Sequence, residues 1–504
     1  MADLSAFARL VGMGWRLARA DALVPREAEP YLPSGVVALG AALRLVAGPQ
    51  SRRGQPGARL AHVLERSGPV AIKLGQFLAT RADIFGEPFA DDLSHLKDRL
   101  APFPQAQARA AVEAALGKPI EAVFAELGPA VAAASIAQAH SATLIDGTPV
   151  AVKVLRPGIE QEVAQDSAVL LLAARMAERL IPTTRRLELA AFAGTVIRAL
   201  NLELDLRFEA AGADELAAIM AKDGFMIGPA VVWEGVGRRA LTLTWAKGTA
   251  LSDPGALALE TLDRPALAAT LTRGFLSQAL NHGLFHADLH EGNLFIAAPA
   301  QLTAVDFGIL GRLGPMERRY LAEILWGFLN RDYARVAVLH FEAGYVPAHH
   351  DVDAFAQALR AVGEPVLGRD ASQVSMGRLL AQLFEITALF DMHLRPELVL
   401  LQKTMVTVEG VARRIDPGHD IWAAAEPVVR GWIARELGPS AKLQALFKDA
   451  ADAIAGMARL ARAQGTKPAL RVTESSPREP HHPWLWFAFG ALAAGIACLA
   501  FAYL

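Results

Sequence analysis

One segment of the chain combines side chains that can carry out phosphoryl transfer. It reads His286-Ala-Asp-Leu-His-Glu-Gly-Asn293, and the sequence Val-Asp306-Phe-Gly follows it. Asp288 precedes Asn293 by five residues, and Asp306 lies thirteen residues beyond Asn293. In kinase-type sites the first aspartate orients the attacking hydroxyl, while the asparagine and the second aspartate hold magnesium against the nucleotide phosphates. We predict these roles here. The alternative is that both aspartates are ordinary turn residues near strands.

Such a site also needs a lysine on an upstream strand, because its ammonium group contacts the phosphates. The stretch Pro149-Val-Ala-Val-Lys153-Val-Leu is short, apolar and β-branched, which is typical of a strand. A lysine in a buried strand needs a charged partner. Glu203 is the candidate partner, fifty residues further on, so we predict that an insertion separates the strand from the helix carrying the glutamate.

The loop that covers the phosphates should precede Lys153, but no Gly-x-Gly-x-x-Gly occurs there. The chain instead has an alanine-rich run that begins at Ala130 and reaches Ser135. Alanine lets the backbone approach phosphate, although it lacks the freedom of glycine at positive φ. Such a run is also typical of a plain helix. Its position upstream of the strand lysine favours the loop.

Together with motifs elsewhere, these residues resemble the UbiB/ADCK-type atypical kinases linked to ubiquinone biosynthesis. The matching motifs, in chain order, are Lys73-Leu-Gly-Gln76, Thr80-Arg81-Ala-Asp83, the run Ala132, Ala133, Ala134 and Ser135, Val-Ala-Val-Lys153, Glu203-Leu-Asp205, and His286 to Asn293 with Asp306-Phe-Gly. The similarity extends from about residue 60 to about residue 425, and the first and third motifs are specific to this family.

The resemblance implies an enzyme that uses ATP and Mg²⁺. It implies that Lys73 and Gln76 lie on an N-terminal extension that blocks the access of protein substrates. It also implies that these two residues, Lys153 and the alanine-rich run contact the nucleotide. A solvated helix lysine and a glutamine bonded to a neighbouring helix are the alternatives. The resemblance also pairs Lys153 with catalytic Glu203, and leaves Asp205 either as a support for Glu203 or as a metal ligand.

The chain departs from the family pattern at three places. Glu291 stands where proline is usual, Gly212 where asparagine is common, and Ile84-Phe-Gly replaces Leu-Leu-Pro. None of the three removes a predicted phosphate or metal ligand, so they concern local packing.

Composition limits the other functions. The 504 residues include 50 basic and 52 acidic side chains, and no basic run interleaved with aromatic residues occurs, which argues against a nucleic-acid partner. A single cysteine, Cys498, excludes intramolecular disulfides and cysteine-rich zinc sites. A hydrophobic content of 53% is high for a soluble enzyme and points to a membrane.

The last part of the chain is the predicted membrane anchor. From Trp484 to Leu504 there are 21 residues without a charge, enough to span a hydrocarbon layer of about 30 Å. Lys467, Arg471 and Arg478 precede this segment, so the body should lie on the cytoplasmic side. Heavy use of alanine and arginine, without a transit-like leader, favours a bacterial protein at the inner membrane. A buried C-terminal helix is the alternative. Small residues in the segment would allow close helix packing and hence a homodimer.

The first helix has an apolar face as well. Leu4, Phe7, Val11 and Trp15 share that face, with Arg9 and Arg16 roughly opposite. Such a helix could lie on a membrane surface or pack on the body of the protein.

The fold that accommodates these motifs is α+β and protein-kinase-like, with two lobes. We predict a helical extension over residues 1–108, a kinase-like core over 109–345, a further helical part of the large lobe over 346–465, a linker over 466–483 and one transmembrane helix over 484–504. The small lobe, with an antiparallel sheet, would occupy residues 109–250, and the helical large lobe would start at 251. A segment for docking peptides is missing after Gly308, which argues against protein substrates.

The predicted function is a membrane-anchored kinase or ATPase that acts on or near polyprenyl quinone precursors or another isoprenoid lipid, in company with quinone biosynthetic proteins. One alternative is a non-catalytic, ATP-gated lipid-binding scaffold. Another, phosphotransfer of the aminoglycoside type, does not explain Lys73-x-Gly-Gln76 or the C-terminal segment.

Overall fold

The structure is a computed structural model that describes residues 2–22, 40–42, 55–79, 89, 92–93, 96, 101–180, 188–367, 386, 389–392 and 396–438. The predicted linker at 466–483 and transmembrane helix at 484–504 lie outside the described residues, as do Arg81, Asp83 and Ile84. Among the helices that are described, none has the length and apolar character needed to cross a bilayer.

An antiparallel sheet of four strands forms the centre of the small lobe, in the order β1-β2-β3-β4. The strands are β1 (Phe124–Ala133), β2 (Ala137–Leu144), β3 (Pro149–Leu155) and β4 (Ala240–Thr244). Because side chains alternate along a strand, Val150, Val152 and Val154 are fully buried while Lys153 points to the other face. Lys153 pairs with Ala139 of β2 and Leu241 of β4.

The alanine-rich run forms the end of β1 and the turn into β2. The N–H of Ala134 donates to the carbonyl of Ala137 at 2.8 Å, which closes the turn. The alternative of a plain helix is therefore wrong for this run. The turn belongs to a hairpin next to β3, the strand that carries Lys153. A phosphate-covering loop lies at this position in kinase-type sites.

Among the described residues, three α-helices separate β3 from β4, which accounts for the insertion predicted from the sequence. They are α5 (Ile159–Leu180), α6 (Leu189–Glu203) and α7 (Leu206–Asp223). Asp205 begins α7 by accepting a hydrogen bond from the N–H of Arg207, and Gly224 ends it at a φ of +73°. Val196, Leu200 and Leu206 pack against Leu155 and Leu241 of the sheet.

In the part of the chain that the structure describes, four α-helices precede the sheet. They are α1 (Ala2–Arg19), α2 (Pro56–Glu65), α3 (Pro69–Ala79) and α4 (Gln105–Leu116). α4 covers the sheet, because its Ala108 and Val112 share a core with Val150 and Val152. α3 enters the core beneath α6 through Val70.

The segment after β4 leads into the large lobe. Strand β5 (Thr249–Ala250) pairs with β7 (Leu294–Ala297), which pairs with β8 (Gln301–Ala304). Gly248 has a φ of +104°, and a Cβ there would collide with the carbonyl of Ile296, so this junction requires glycine. β6 (Leu284–His286) and β9 (Leu310–Arg312) form a second small ladder.

Helices surround these ladders. They are α8 (Arg264–Ser277), α9 (Pro315–Leu329), α10 (Tyr333–Glu342), α11 (Val352–Leu367), α12 (Pro396–Ile415) and α13 (Ile421–Glu436). Their shared core includes Leu271, Phe275, Phe285, Val408 and Val429. The rings of Phe275 and Phe285 meet edge to face at 5.8 Å.

A π-helical turn continues α8 from Gln278 to His282. The wider turn leaves carbonyls without partners inside the helix, and neighbouring side chains satisfy them. The Leu280 carbonyl accepts from Nε of Arg318 at 2.7 Å and from Nε1 of Trp432 at 2.9 Å, and the Asn281 carbonyl accepts from Nη2 of Arg318. This turn therefore joins α8, α9 and α13.

Candidate nucleotide site

Lys153 stands at the centre of a charged cluster between the lobes. Its Nζ lies 2.7 and 2.9 Å from the two carboxylate oxygens of Glu209, and 3.2 Å from Oδ1 of Asp306. Strand β3, helix α7 and the loop after β8 each contribute one of these residues. The side chain of Glu209 is 10% exposed, whereas that of Asp306 is 51% exposed. The cluster is therefore closed on the glutamate side and open on the aspartate side.

The prediction that Glu203 is the partner of Lys153 is wrong. Glu203 is the last residue of α6, and its Oε1 pairs with Nζ of Lys73 at 2.5 Å. The chain then begins a new helix at Asp205, and Glu209 comes one turn later, on the side that faces β3. Because α6 ends and a new helix begins between them, the two glutamates pair with different lysines: Glu203 with Lys73, and Glu209 with Lys153.

The sequence contains a signal for Glu209 that the motif comparison does not use. In α7, Leu206, Ala210 and Ala213 are fully or almost fully buried on one face. Glu209 falls on the same face, three residues after Leu206 and four before Ala213. A charged residue within an apolar helix stripe needs a buried partner of opposite charge.

The charges of the cluster shift each other's pKa values. Burial acts to lower the pKa of Lys153, but the carboxylates of Asp306 and Glu209 outweigh it and raise that pKa above its usual value. The charge of Lys153 is the main cause that lowers the pKa of Asp306 to about 2. Burial raises the pKa of Glu209, and Lys153 opposes that rise. Lys153 is thus a cation and Asp306 an anion at neutral pH.

His286 holds the loop that carries Asp288. Its backbone N–H donates to Oε1 of Gln278 at 3.1 Å, and its ring Nε2 lies 3.1 Å from the carbonyl of Val305. Its Nδ1 accepts a hydrogen bond from the N–H of Asp288, so the proton resides on Nε2. Burial lowers the pKa of His286, which keeps the ring neutral. The ring is therefore a fixed support for Asp288.

Asn293 lies where its side chain and that of Asp306 can share a cation. Its Nδ2 donates to the carbonyl of Asp288 at 3.0 Å, which fixes the amide and leaves the amide oxygen as the atom for a ligand. The N–H of Val305 donates to the carbonyl of Asn293 at 2.9 Å and places the next residue, Asp306, beside it. Asp306 itself has a φ of +63°, a strained conformation that often marks a functional residue. An amide oxygen and an ionised, half-exposed carboxylate are ligands that suit Mg²⁺.

The predicted metal ligand Asp205 has other contacts. Its Oδ1 accepts from Nε of Arg207 at 2.8 Å and its Oδ2 from Nη2 at 2.6 Å, while Oδ1 also caps α7. Arg207 is the main cause that lowers the pKa of Asp205. No contact between Asp205 and Asn293 or Asp306 is found in the described part of the chain. Asp205 therefore caps α7, and both its support of Glu203 and its role as a metal ligand stay predictions.

The alanine-rich turn is anchored from outside the sheet. Nε of Arg156 donates to the carbonyl of Ala134 at 2.9 Å, and its guanidinium lies 5.7 Å from the ring centre of Phe103. Ala132 and Ala133 are the last residues of β1, while Ala134 and Ser135 form the turn, with Ser135 buried. Gln76 lies on α3 one turn after Lys73, at partial exposure. Contact of these residues with nucleotide stays a prediction.

Two of the three departures from the family pattern have identifiable neighbours. Glu291 forms an ion pair with Arg414 of α12, which joins the loop of Asp288 to the helical part of the large lobe. Gly212 of α7 faces Leu310, whose Cδ1 would lie 2.7 Å from an added Cβ. A larger residue at 212 would therefore press on the strand that follows the Asp-Phe-Gly sequence.

These features define a two-lobed protein of the protein-kinase-like class. Residues 95–340 match the ABC1 atypical kinase-like domain, and residues 359–420 match the UbiB helical domain. A "Probable protein kinase UbiB" of Marinobacter nauticus is 37% identical over 445 residues, covering 87% of this chain and 81% of that protein. The protein of the same name in Azotobacter vinelandii is 36% identical over 476 residues, covering 93% and 88%. This chain belongs to the UbiB family of atypical kinases, so the resemblance drawn from the motifs is confirmed.

A solved structure also shares the fold. The complex of Rv3197 with erythromycin, from Mycobacterium tuberculosis, superposes with a TM-score of 0.51 at 22% identity, covering 73% of this chain and 93% of that one. At this identity the likeness concerns the fold alone. The predicted protein-kinase-like fold is thus confirmed for the body of the chain.

Proposed function

We propose that this protein is a membrane-anchored, Mg–ATP-dependent kinase or ATPase that supports ubiquinone biosynthesis in the bacterial inner membrane, with its body in the cytoplasm. It acts on or near polyprenyl quinone precursors and works beside other quinone biosynthetic proteins. The family membership supports the pathway, and the charged sequence preceding the apolar C-terminal segment supports the orientation.

One observation carries the catalytic part of this proposal. Lys153 is held between a closed carboxylate, Glu209, and an open one, Asp306. A lysine fixed in this way presents its ammonium group to the phosphates, while the open carboxylate remains accessible to Mg²⁺. One of the three residues comes from a strand, one from a helix and one from a loop, so the arrangement exists only when these elements are packed together.

Each residue has a role that follows from its position. When bound, Mg–ATP supplies a phosphoryl group whose charge the cation neutralises. Lys153 contacts the α- and β-phosphates, and Asn293 with Asp306 holds the cation. Asp288 orients the acceptor hydroxyl or water and takes its proton. His286 keeps the backbone of Asp288 in place through its Nδ1.

The short connection after the Asp-Phe-Gly sequence supports a small-molecule acceptor. β9 begins at Leu310, and α9 begins at Pro315, so only a few residues separate the metal ligand from the next helix. Protein kinases use a longer segment at this point, and its phosphorylation controls their activity. The acceptor is therefore a phenolic or isoprenoid lipid, or water, rather than a peptide.

The deciding experiment is ATP hydrolysis by the purified full chain. Turnover is measured with and without liposomes and with and without a phenolic mimic of the quinone head group. We expect the wild-type protein to release phosphate in a Mg²⁺-dependent manner, and the Asp288→Asn variant to release none. Absence of turnover under all these conditions would overturn the enzyme assignment.

The same experiment addresses the alternative function. A non-catalytic, ATP-gated scaffold would use the same Lys153 and Asp306, and would bind nucleotide in a Mg²⁺-dependent manner. It would release no phosphate with any combination of membrane and head-group mimic. The apolar cavity described below is the observation that favours retaining this second candidate.

A further inference from the structure

An apolar cavity of about 710 Å³ lies between the N-terminal helices and the helices inserted in the small lobe. Helices α1, α2 and α3 form one side, and α5 and α6 form the other. Its lining is mainly aliphatic and aromatic, and representative residues are Leu10, Leu60, Leu74, Leu170 and Phe192. We refer to it as the tail cavity. Its volume is within the range of about 300 to 1,000 Å³ that small-molecule sites occupy.

Walls of this kind favour an apolar occupant, because removing apolar surface from water is favourable. Water is a poor occupant, because it needs several polar partners and most of this lining offers none. A hydrocarbon group, which needs no hydrogen bonds, fits such walls.

Charged residues lie at only one part of the lining. Arg9 pairs with Asp166 at 2.8 Å, and Arg16, Arg66 and Glu162 also line the cavity. The asymmetry between an apolar interior and a charged margin suits an amphiphile, with its chain inside and its polar head at the margin.

The helix that closes the cavity also presents apolar side chains to the outside. Leu10 and Leu17 of α1 are buried, but Val11 and Trp15 are 43% and 53% exposed. They are four residues apart and so share a helix face. Exposed tryptophan on an amphipathic helix is typical of contact with the membrane interface. Contact through this face would place α1, one wall of the tail cavity, at the surface of a bilayer.

We infer that the tail cavity binds the isoprenoid chain of a lipid, with the polar head at the margin formed by Arg16 and Arg66. The choice of an isoprenoid chain rests on the proposed function. The site is separate from the cluster around Lys153, yet two of its walls, α3 and α6, carry Lys73 and Glu203.

Gly12 provides a variant that fills the cavity with little risk to the fold. It lines the cavity, and a Cβ added to it meets nothing within 4 Å. Because it lies within α1, replacement also raises helix propensity. Gly410 of α12 is a matched control, since it too is a helix glycine with open space around its Cβ, but it does not line the cavity.

The test uses the full chain without nucleotide, and a phenol carrying a farnesyl chain as the probe, with binding measured by equilibrium dialysis. We expect the Gly12→Leu variant to weaken binding by at least about tenfold, and the Gly410→Leu variant to stay within about twofold of wild type. Phosphatidylglycerol vesicles form a second arm that contains acyl chains but no prenyl group. If the variant does not fold, Leu170→Trp fills the cavity from the opposite wall.

Each outcome of this test either supports the inference or overturns it. Equal probe binding by wild type and Gly12→Leu, or no binding by wild type, overturns it. Loss of vesicle binding in Gly12→Leu without any prenyl-phenol binding means an acyl-chain site and also overturns it. Because nucleotide is absent, a failure here differs from a failure of the proposed function, which would appear as normal probe binding without ATP turnover.

Discussion

Lys73 and Glu203 form an ion pair with a separation of 2.5 Å between Nζ and Oε1, which ties the N-terminal extension to helix α6. The next glutamate, Glu209, lies six residues further on and binds Lys153 instead. Two lysine–glutamate ion pairs therefore form, and their glutamates lie on either side of Asp205, where α6 gives way to α7. One pair positions the extension, and the other positions Lys153, the residue that we propose contacts phosphate.

The Glu209→Gln variant should lose most ATP turnover. An amide cannot neutralise Lys153, so the ammonium group is drawn toward Asp306 and away from the phosphates. We expect kcat/KM for ATP hydrolysis to fall by at least about tenfold, equivalent to roughly 1.4 kcal/mol in transition-state stabilisation. The control is Glu215→Gln on the same helix, whose partner Arg312 is at the surface. A Glu209→Gln enzyme as active as this control would show that the pair does not position Lys153.

Replacing Asp306 by asparagine should remove Mg²⁺-dependent nucleotide binding. The substitution takes away the carboxylate whose pKa is lowered to about 2 and which is therefore ionised at any physiological pH. We expect ATP with Mg²⁺ to raise the melting temperature of the wild-type protein and to leave that of Asp306→Asn unchanged. An equal rise in both proteins would contradict the assignment of Asp306 to the cation.

The Asp288→Asn variant should separate binding from chemistry. The carbonyl of Asp288, which holds Asn293, and its N–H, which donates to His286, both remain in the variant. Nucleotide should therefore still raise the melting temperature, while phosphate release falls by about a hundredfold or more, as is usual for loss of a catalytic base. Phosphate release at the wild-type rate would exclude Asp288 from this role.

The Lys73–Glu203 pair should contribute measurably to stability. Its side chains are only 14% and 22% exposed, so solvent screens the pair less than a surface pair. In a double-mutant cycle with Lys73→Ala and Glu203→Gln, we expect a coupling free energy of about 1 kcal/mol. Arg312 and Glu215, at 65% and 48% exposure, serve as the comparison, with an expected coupling under about 0.5 kcal/mol. Urea unfolding measures both, and equal values would mean that burial adds nothing to the first pair.

Stability should fall as pH decreases below the ordinary pKa of histidine. Burial lowers the pKa of His286 in the folded protein below its usual 6.5, so the unfolded chain binds a proton first. The stabilisation is present above 6.5 and is lost as pH falls through the folded pKa, by at most about 1.4 kcal/mol per pH unit. Replacing His286 by asparagine should flatten this part of the profile in urea unfolding.

His340 provides the control for that experiment, because burial lowers its pKa as well. The His340→Asn variant should flatten the stability profile in the same pH range, yet leave ATP turnover close to wild type. A His286→Asn variant with unchanged turnover would mean that the histidine does not support Asp288.

The sequence predicts the active-site strands and loops well, because their motifs depend on local pattern. The short, apolar, β-branched stretch around Lys153 indicates a strand, and the spacing of Asp288, Asn293 and Asp306 indicates a kinase-type site. The partner of Lys153 could not be obtained in this way. Its identity depends on where α6 ends, and the end is set by Asp205 capping the next helix rather than by the motif itself.

The tail cavity is even harder to predict from the sequence. Leu10, Leu74, Leu170 and Phe192 look like ordinary core positions, each on an amphipathic or apolar helix. Only the packing of five helices, some separated by most of the small lobe in sequence, shows that these side chains surround a space instead of filling it.

The π-helical turn has a consequence for how the large lobe comes apart. Trp432 and Arg318 donate hydrogen bonds to the carbonyl of Leu280, and Gln278 in the same turn accepts from His286. Melting α13 alone would remove one of the two donors to the Leu280 carbonyl, within the turn whose Gln278 holds the backbone of His286. Denaturation of this lobe should therefore be a single cooperative event, in which the change in tryptophan emission and the loss of ATP turnover occur at the same denaturant concentration.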